Sequence, residues 1–302
     1  MIFMKNLNAL THNFCFKFEN KKTAIMTYSH FNIDFPAANV AHVEINRPQK
    51  LNAFNKKTYT ELRDIFNSFS TNKSVNVIIL SGSGPAFTSG LELSPDVLEI
   101  GAKTNNQTHD FDQERDRWYL RESILDFQDA VSSIENCNKP VIAVAHGISY
   151  GLAIDILCAT DIRLCTETVR FSVKEVDIGI AADIGTLQRL PKIVQSQSWC
   201  KDVVFSGREF GCAEAKDHGF VSYVCPNKQQ ARAKALEIAD CISSKSPVAV
   251  QGCKKLINYS REHSIADGLA YTAAWNAFAI GKDMQVAASS ILQKKKPMFA
   301  KL

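Results

Sequence analysis

Apolar residues form a short, uninterrupted run near the middle of the chain. Residues 140–145 are all apolar and include three β-branched side chains, a pattern typical of a buried strand. Two glycines then bracket a predicted turn, Gly147 to Gly151, and a mostly apolar run from Leu152 to Ala159 predicts a short helix. This strand–turn–helix segment is the centre of the predicted fold.

Strand and helix patterns flank this segment on both sides. Short apolar or alternating runs predict strands at 40–45, 75–80, 162–165 and 168–171. Apolar residues recurring every three or four positions predict helices at 57–70, 112–136, 229–243, 247–261 and 265–280. Strands and helices are therefore mixed up to about residue 225 and helices follow, which indicates an α/β protein with a helical C-terminal part.

Composition limits the classes of protein. The chain has 302 residues, of which 45% are hydrophobic and 22% charged, as in an ordinary globular protein with a large core. No apolar run approaches the roughly 20 residues of a membrane span. A net charge of +4 without a dense basic stripe does not fit a nucleic-acid-binding protein. The nine cysteines lack metal-ligand spacing and are expected to be free thiols in a reducing compartment.

Three carboxylates, Asp155, Glu175 and Asp183, lie in or near apolar runs. Loss of hydration raises the pKa of an acid, so such a group can carry protons near neutral pH. Spacing alone favours the alternative that each acid caps a helix or pairs with a buried cation.

Three longer motifs contain or adjoin these acids. They are Lys-Pro-Val-Ile-Ala-Val-Ala-His-Gly (139–147), Phe-Ser-Val-Lys-Glu-Val-Asp-Ile-Gly (171–179) and Ala-Ala-Asp-Ile-Gly-Thr-Leu-Gln-Arg-Leu-Pro (181–191). Together they resemble the enoyl-CoA hydratase/isomerase (crotonase) family, and within it they are most similar to Δ3,5-Δ2,4-dienoyl-CoA isomerases. The resemblance extends more loosely from about Asn32 to the end of the chain. It implies an α/β fold, a crotonase-like spiral of repeated ββα units with a C-terminal helical subdomain.

The resemblance also implies domain boundaries. Residues 1–31 fit the family pattern poorly and are expected to be a disordered extension. Residues 32–225 are expected to form the spiral core with the active site. Residues 226–302 are expected to form the helical subdomain, which in the family covers the active site and makes subunit contacts. A homotrimer or homohexamer is therefore expected.

The two ends of the chain bear on location. The first 31 residues contain lysines but no arginine, which does not favour a mitochondrial transit peptide. Ala300-Lys301-Leu302 resembles the Ser-Lys-Leu class of peroxisomal address, which an import receptor reads at a free C-terminus. We therefore expect the peroxisome rather than the mitochondrion.

The reaction implied by the resemblance moves the double bonds of a 3,5-dienoyl-CoA to the 2,4 positions during fatty acid β-oxidation. One proton leaves C2 and another reaches C6, through a dienolate whose thioester oxygen accepts hydrogen bonds from two backbone N–H groups. By position in the family pattern, these donors belong to Leu91 and Leu152. Glu175 is the expected base at C2 and Asp183 the expected acid at C6. Asp155 stands where hydratases of the family carry a glutamate and is expected to tune the site.

Coenzyme A is part of such a substrate, so neither a separate cofactor nor a metal is expected. Arg47, Lys50 and Lys294 are candidate contacts for its phosphates, and Ala86 is a further candidate contact. Any one of these cations could equally be solvated surface charge.

Two departures from the family pattern bear on the shape of the substrate. Gly151-Leu152-Ala153 stands where consecutive glycines are common, and Glu92 stands where an aspartate is usual.

Other functions stay open at this point. An enoyl-CoA hydratase or a Δ3-Δ2-enoyl-CoA isomerase is the alternative within the family. Residues 147–151 also match G-x-S-x-G, so Ser149 is a candidate hydrolase nucleophile, followed by Asp183 and by His218 or His263. A non-catalytic binding protein of the same fold is the third class.

Overall fold

A computed structural model describes residues 28–93 and 113–302 of the chain. The strands of these residues are β1 Phe31–Ala37, β2 Val40–Ile45, β3 Val77–Gly82, β4 Ala86–Thr88, β5 Val141–Ala145, β6 Ile148–Tyr150, β7 Ile162–Thr166, β8 Arg170–Ser172 and β9 Tyr223–Cys225. The α-helices are α1 Lys56–Thr71, α2 Gln113–Asn136, α3 Leu152–Ala159, α4 Thr186–Ile193, α5 Gln197–Ser206, α6 Cys212–Asp217, α7 Lys228–Ser243, α8 Pro247–Ser260, α9 Ile265–Ala279 and α10 Lys282–Leu292. Two short 3₁₀ helices span Pro48–Lys50 and Glu175–Ile178.

The strands form two sheets that are built by a repeating path of the chain. The larger sheet has the order β1-β2-β3-β5-β7-β9 and is parallel except for β1, which pairs antiparallel with β2. The smaller sheet has the order β4-β6-β8 and is parallel throughout. Strands β3, β5 and β7 are each followed directly by a strand of the smaller sheet, and β5–β6 leads into α3. This is the predicted spiral of ββα units.

Strand β5 is apolar along its whole length because both faces of the larger sheet are covered. Val141, Ala143 and Ala145 belong to the main hydrophobic core on one face of the sheet. Ile142 and Val144 belong to a second, smaller hydrophobic cluster on the other face. Helix α7 covers that opposite face with alanines spaced four residues apart, which form one small-residue stripe on the helix. A strand buried on both faces loses the alternation of a half-exposed strand.

The predicted boundaries need three corrections. The segment 147–151 was expected to be a turn, but it contains β6, a strand of three residues. Phe31 belongs to β1 and is buried opposite Ile45, so the ordered fold begins before residue 32. The rest of the expected extension, residues 1–27, lies outside the described residues. Helix α7 packs on β3, β5 and β7, so it is part of the core rather than of a separate C-terminal subdomain.

Candidate active site

Three parallel strands end side by side at one edge of the smaller sheet. Strand β4 leads to Leu91, β6 leads to Leu152, and β8 leads to Glu175. Because the carboxyl ends of parallel strands meet at the same edge, the sheet gathers three of the predicted site residues. Ligands of α/β sheets commonly bind at such an edge.

The two predicted amide donors lie on chain segments that touch. A Cβ atom built on Gly90 would lie 3.0 Å from the carbonyl oxygen of Tyr150 and 3.7 Å from the Leu152 nitrogen, so the approach requires glycine. The backbone of Phe54 pairs with the residues on either side of Leu91. Its amide donates to the Gly90 carbonyl and its carbonyl accepts from the Glu92 amide, both at 2.8 Å, so the Leu91 amide takes no part in this pairing. Neither the Leu91 nor the Leu152 amide donates a backbone hydrogen bond to another described residue. Two such amides, one at the N-terminus of α3, can bind a single anionic oxygen.

The carboxylate of Glu175 lies beside Gly151, at the start of α3. Its Oε1 is 3.3 Å from the position of a Cβ atom on Gly151, the residue directly before Leu152. Its Oε2 is buried and has no hydrogen-bond partner among the described residues. Burial raises the pKa of Glu175, and the charge of Asp183 raises it further, against the opposing effect of nearby backbone amides. The group is therefore a partly dehydrated acid with one free oxygen.

Asp183 lies in the loop between the 3₁₀ helix at 175–178 and α4. Burial raises the pKa of its carboxyl group, although its own amide acts in the opposite direction. The side-chain amide of Gln128, on α2, donates to the Asp183 carbonyl at 2.6 Å. The charge of Asp183 contributes to the raised pKa of Glu175, so the two carboxyl groups lie within electrostatic reach of each other.

Asp155 has a different environment, closed to solvent. It lies on the first turn of α3 with 1% exposure, and its Oδ1 accepts a hydrogen bond from the Thr186 amide at 2.6 Å. Burial, and then the charge of Glu175, raise the pKa of Asp155 to about 7, against the hydrogen bonds from Thr186. Thr186 is the first residue of α4, so Asp155 ties the start of α4 to α3 while remaining in electrostatic contact with Glu175.

Two of the predicted coenzyme A contacts, Arg47 and Ala86, contact other parts of the protein instead. Arg47 is 13% exposed, pairs with Glu92 at 2.8 Å and donates to the Ala53 carbonyl. Ala86 is fully buried in β4, so it has no surface with which to contact a ligand. Lys50 is 64% exposed and only weakly paired with Glu92, at 3.5 Å. The fourth candidate, Lys294, follows α10 and is exposed.

The serine hydrolase alternative lacks its geometry. Ser149 is fully buried in β6, and its Oγ has no hydrogen-bond partner among the described residues. His218 stacks on Trp199 at 4.5 Å, and His263 stacks on the Tyr259 ring at 3.6 Å. A nucleophilic serine needs a base within hydrogen-bond reach, so the G-x-S-x-G match is not a nucleophile elbow here.

Over residues 28–93 and 113–302, no group of three or more His, Cys, Asp or Glu side chains is arranged to hold a metal ion. None of the helices in these ranges is long and apolar enough to cross a membrane.

Gln128 is a site neighbour that sequence reasoning missed. It lies 55 positions before Asp183, and nothing in the helical pattern of α2 distinguishes it from other polar residues. Only the packing of α2 against the 183–189 segment brings it to the site.

The spiral of two sheets, with Glu175 beside Gly151 and with Asp155 buried in the following helix, agrees with the expected enoyl-CoA hydratase/isomerase class. The chain matches this family over residues 36–301 and belongs to it. The family and the fold that the motifs predicted are therefore confirmed.

Individual relatives carry more specific names. The chain is 42% identical over 250 residues to a protein of Homo sapiens named Delta(3,5)-Delta(2,4)-dienoyl-CoA isomerase, mitochondrial. The matched region covers 83% of this chain and 75% of that protein. It is 41% identical over 266 residues to the Arabidopsis thaliana protein named Delta(3,5)-Delta(2,4)-dienoyl-CoA isomerase, peroxisomal, covering 88% of this chain and 94% of that protein. A crystal structure of an enoyl-CoA hydratase from Bacillus anthracis has the same fold, with a TM-score of 0.77, 24% identity and coverage of 90% of this chain and 99% of that chain.

Proposed function

We propose that this protein is an isomerase that moves the double bonds of a 3,5-dienoyl-CoA to the 2,4 positions. The observation that carries the proposal is that Glu175 lies beside Gly151, at the start of α3, with Gly90 near the Leu152 amide and with Asp183 within electrostatic reach. The names of the human and plant relatives point to the same reaction.

The proposed mechanism uses two acids at the two ends of one delocalised anion. Ionised Glu175 removes a proton from C2, and the electron pair of the C–H bond moves into the diene and the thioester carbonyl. The Leu91 and Leu152 amides stabilise the oxygen as its charge grows. Protonated Asp183 then delivers a proton to C6, which leaves double bonds at the 2,4 positions. One proton leaves the substrate and one returns, so no oxidant, metal or further cofactor is required by this mechanism.

The proposed mechanism begins with Glu175 ionised and Asp183 protonated, and one forward turnover reverses both protonation states. Glu175 must therefore lose a proton and Asp183 must regain one before the next forward turnover. Asp155 touches neither reacting carbon in this mechanism, and it holds α4 in place behind the two acids.

The surroundings of the acids support a fatty acyl substrate. The segment between them exposes Val176, Ile178 and Ile180, apolar side chains that are available to contact an acyl chain. We propose Lys50 and Lys294 as contacts for the phosphates of coenzyme A, because both are exposed cations.

The test compares two substrates and one variant. Formation of a 2,4-dienoyl-CoA extends conjugation to the thioester and raises the ultraviolet absorbance, whereas hydration of a 2-enoyl-CoA lowers it. We expect the protein to turn over the 3,5-dienoyl-CoA, and Asp183→Asn to lose roughly a factor of 10² to 10⁴ in turnover. Preferential hydration of the 2-enoyl-CoA, with Asp183→Asn still active, would assign a hydratase instead.

We also propose that the protein acts in the peroxisome as a homo-oligomer. The named relatives include both peroxisomal and mitochondrial proteins. The tripeptide at residues 300–302 is exposed and would be read wherever it forms a free C-terminus. A fluorescent protein fused in front of the chain should co-localise with a peroxisomal marker, and Lys301→Glu should release it to the cytosol. A wild-type fusion that stays in the cytosol, or a peroxisomal pattern that Lys301→Glu does not change, would overturn the assignment.

A further inference from the structure

One face of α2 contacts the loop that carries Asp183. Gln128, Ser132 and Glu135 recur at intervals of four and three residues, so they lie on the same side of the helix. Each contributes a polar contact to the segment between residues 183 and 189. This polar face is separate from the substrate-facing groups described above.

The first contact is direct. The Gln128 side-chain amide donates to the carbonyl oxygen of Asp183 at 2.6 Å, across 55 positions of sequence. Gln128 itself is half-buried, and its neighbours on α2 fix the helix to α1. Asp126 pairs with Arg63 at 2.6 Å, and Phe127 stacks on Tyr59 with ring centroids 4.3 Å apart. The donor is therefore held on a rigid element.

The second contact acts through Arg189. Its guanidinium is held by Glu135 at 2.9 Å and by the Ser132 hydroxyl at 3.0 Å. It lies directly over Gly185, where a built Cβ atom would be 1.9 Å from the Arg189 Nη1. Gly185 has a φ of +134°, so only glycine fits both the backbone conformation and the space. The loop is thus held from α2 at residue 183 and again at residue 185.

We propose that Gln128 is a positioning residue for Asp183, fixing the loop so that its carboxyl group faces C6 of the substrate. The inference rests on the proposed function and assigns a role to a side chain that does not touch the substrate. A carboxyl group on a loop needs such support, because displacement by about 1 Å can cost on the order of a hundredfold in rate.

The test separates proton removal at C2 from proton delivery at C6. Incubating the 3,5-dienoyl-CoA in deuterium oxide reports removal at C2, through deuterium in the recovered substrate, whereas formation of the 2,4-product requires both steps. We expect Gln128→Met to lower turnover about tenfold to a hundredfold, with KM and the rate of C2 exchange within about twofold of wild type.

Gln197 provides a matched control. Its side-chain amide, at the start of α5, donates to the Pro191 carbonyl near the end of α4 at 2.7 Å, which is the same kind of bond in an exposed position. Gln197→Met should leave turnover and exchange unchanged. Gln128→Lys keeps a hydrogen-bond donor of similar reach, whereas Gln128→Glu has no donor when the carboxyl group is ionised. We therefore expect higher turnover in Gln128→Lys than in Gln128→Glu. If Gln128→Met does not fold, the Lys and Glu variants still compare the site with and without a hydrogen-bond donor at residue 128.

The outcomes are distinct. Wild-type turnover in Gln128→Met, with Asp183→Asn inactive, would overturn the positioning role and leave the proposed function intact. Equal losses of turnover and of C2 exchange would also overturn it, because Gln128 would then support the whole site. Full turnover in Asp183→Asn would overturn the proposed function itself.

Discussion

At the scale of the residue, Glu175 combines a raised pKa with a buried oxygen that has no partner among the described residues, and it lies beside Gly151 at the start of α3. We expect Glu175→Gln to lower turnover of the 3,5-dienoyl-CoA by roughly 10² to 10⁴, because the amide cannot accept the C2 proton. Glu167 is the matched control, since it is exposed on the turn before β8 whereas Glu175 follows β8. Glu167→Gln should behave as wild type in the same absorbance assay. Comparable activity in the two variants would remove Glu175 from the mechanism.

Asp155 provides a prediction about stability and pH. Its pKa in the folded protein is about 7, against an ordinary value of 3.8, so between about pH 4 and pH 7 the folded state binds more protons than the unfolded state. The free energy of unfolding therefore falls as pH rises through this window, by up to about 4 kcal/mol for an isolated group. Asn at this position keeps an oxygen for the Thr186 amide but does not titrate.

Urea unfolding of wild type and Asp155→Asn at several pH values checks this expectation. The variant should gain stability relative to wild type as the pH rises from 4 to 7, and the difference should be constant above that range. A difference that does not change with pH would mean that Asp155 stays ionised, or stays protonated, throughout.

The acids and Gln128 differ in what the sequence revealed about them. Asp155, Glu175 and Asp183 could be singled out because carboxylates near apolar runs are unusual and lie in long motifs. Gln128 could not, because a glutamine on a mostly polar helix carries no local signal of its partner. Arg47 was assigned to coenzyme A from its charge alone, but its short distance to Glu92 shows that the charge serves the loop.

At the scale of the element, locally determined segments could be predicted and those fixed by distant partners could not. Strand β5 and helix α3 were predicted because their apolar runs are continuous, and the predicted helix at 57–70 agrees with α1 to one residue at each end. Strand β6 has three residues between two glycines, and it exists because β4 and β8 pair with it on either side. Those partners are distant in sequence, so residues 147–151 resemble a turn when considered alone.

The junction between β6 and α3 gives a prediction at this scale. Gly151 has a φ of +54°, and a Cβ atom there would press on the Glu175 carboxylate at 3.3 Å. Gly219 also has a positive φ, +77°, but its nearest neighbour would be 3.8 Å away, in a turn remote from the acids. Alanine at either position should cost about 1 to 3 kcal/mol of folding free energy, and Gly151 has the less favourable backbone because its ψ of −117° lies outside the left-handed helical region. Only Gly151→Ala should also lower turnover, by about tenfold.

Thermal unfolding and turnover of the two alanine variants, measured side by side, separate the two effects. Loss of turnover in Gly219→Ala of the same size would attribute the effect to general backbone strain. Unchanged turnover in Gly151→Ala would show that the junction does not set the position of Glu175.

At the scale of the whole molecule, the C-terminal helices α9 and α10 expose apolar side chains that a single chain leaves uncovered. Phe278 is 92% exposed, and Ile265, Leu269 and Leu292 are also exposed. Large exposed apolar side chains are candidates for interfaces between proteins, and we expect the proposed homo-oligomer to cover Phe278. We expect Phe278→Asp to shift the molar mass measured by sedimentation towards that of the single chain, because a charge cannot be buried there unpaired. Ser74→Asp adds the same charge to the exposed loop before β3 and should leave the mass unchanged. A wild-type protein that sediments as a single chain, or a Phe278→Asp variant with the full mass of the assembly, would exclude this surface as the interface.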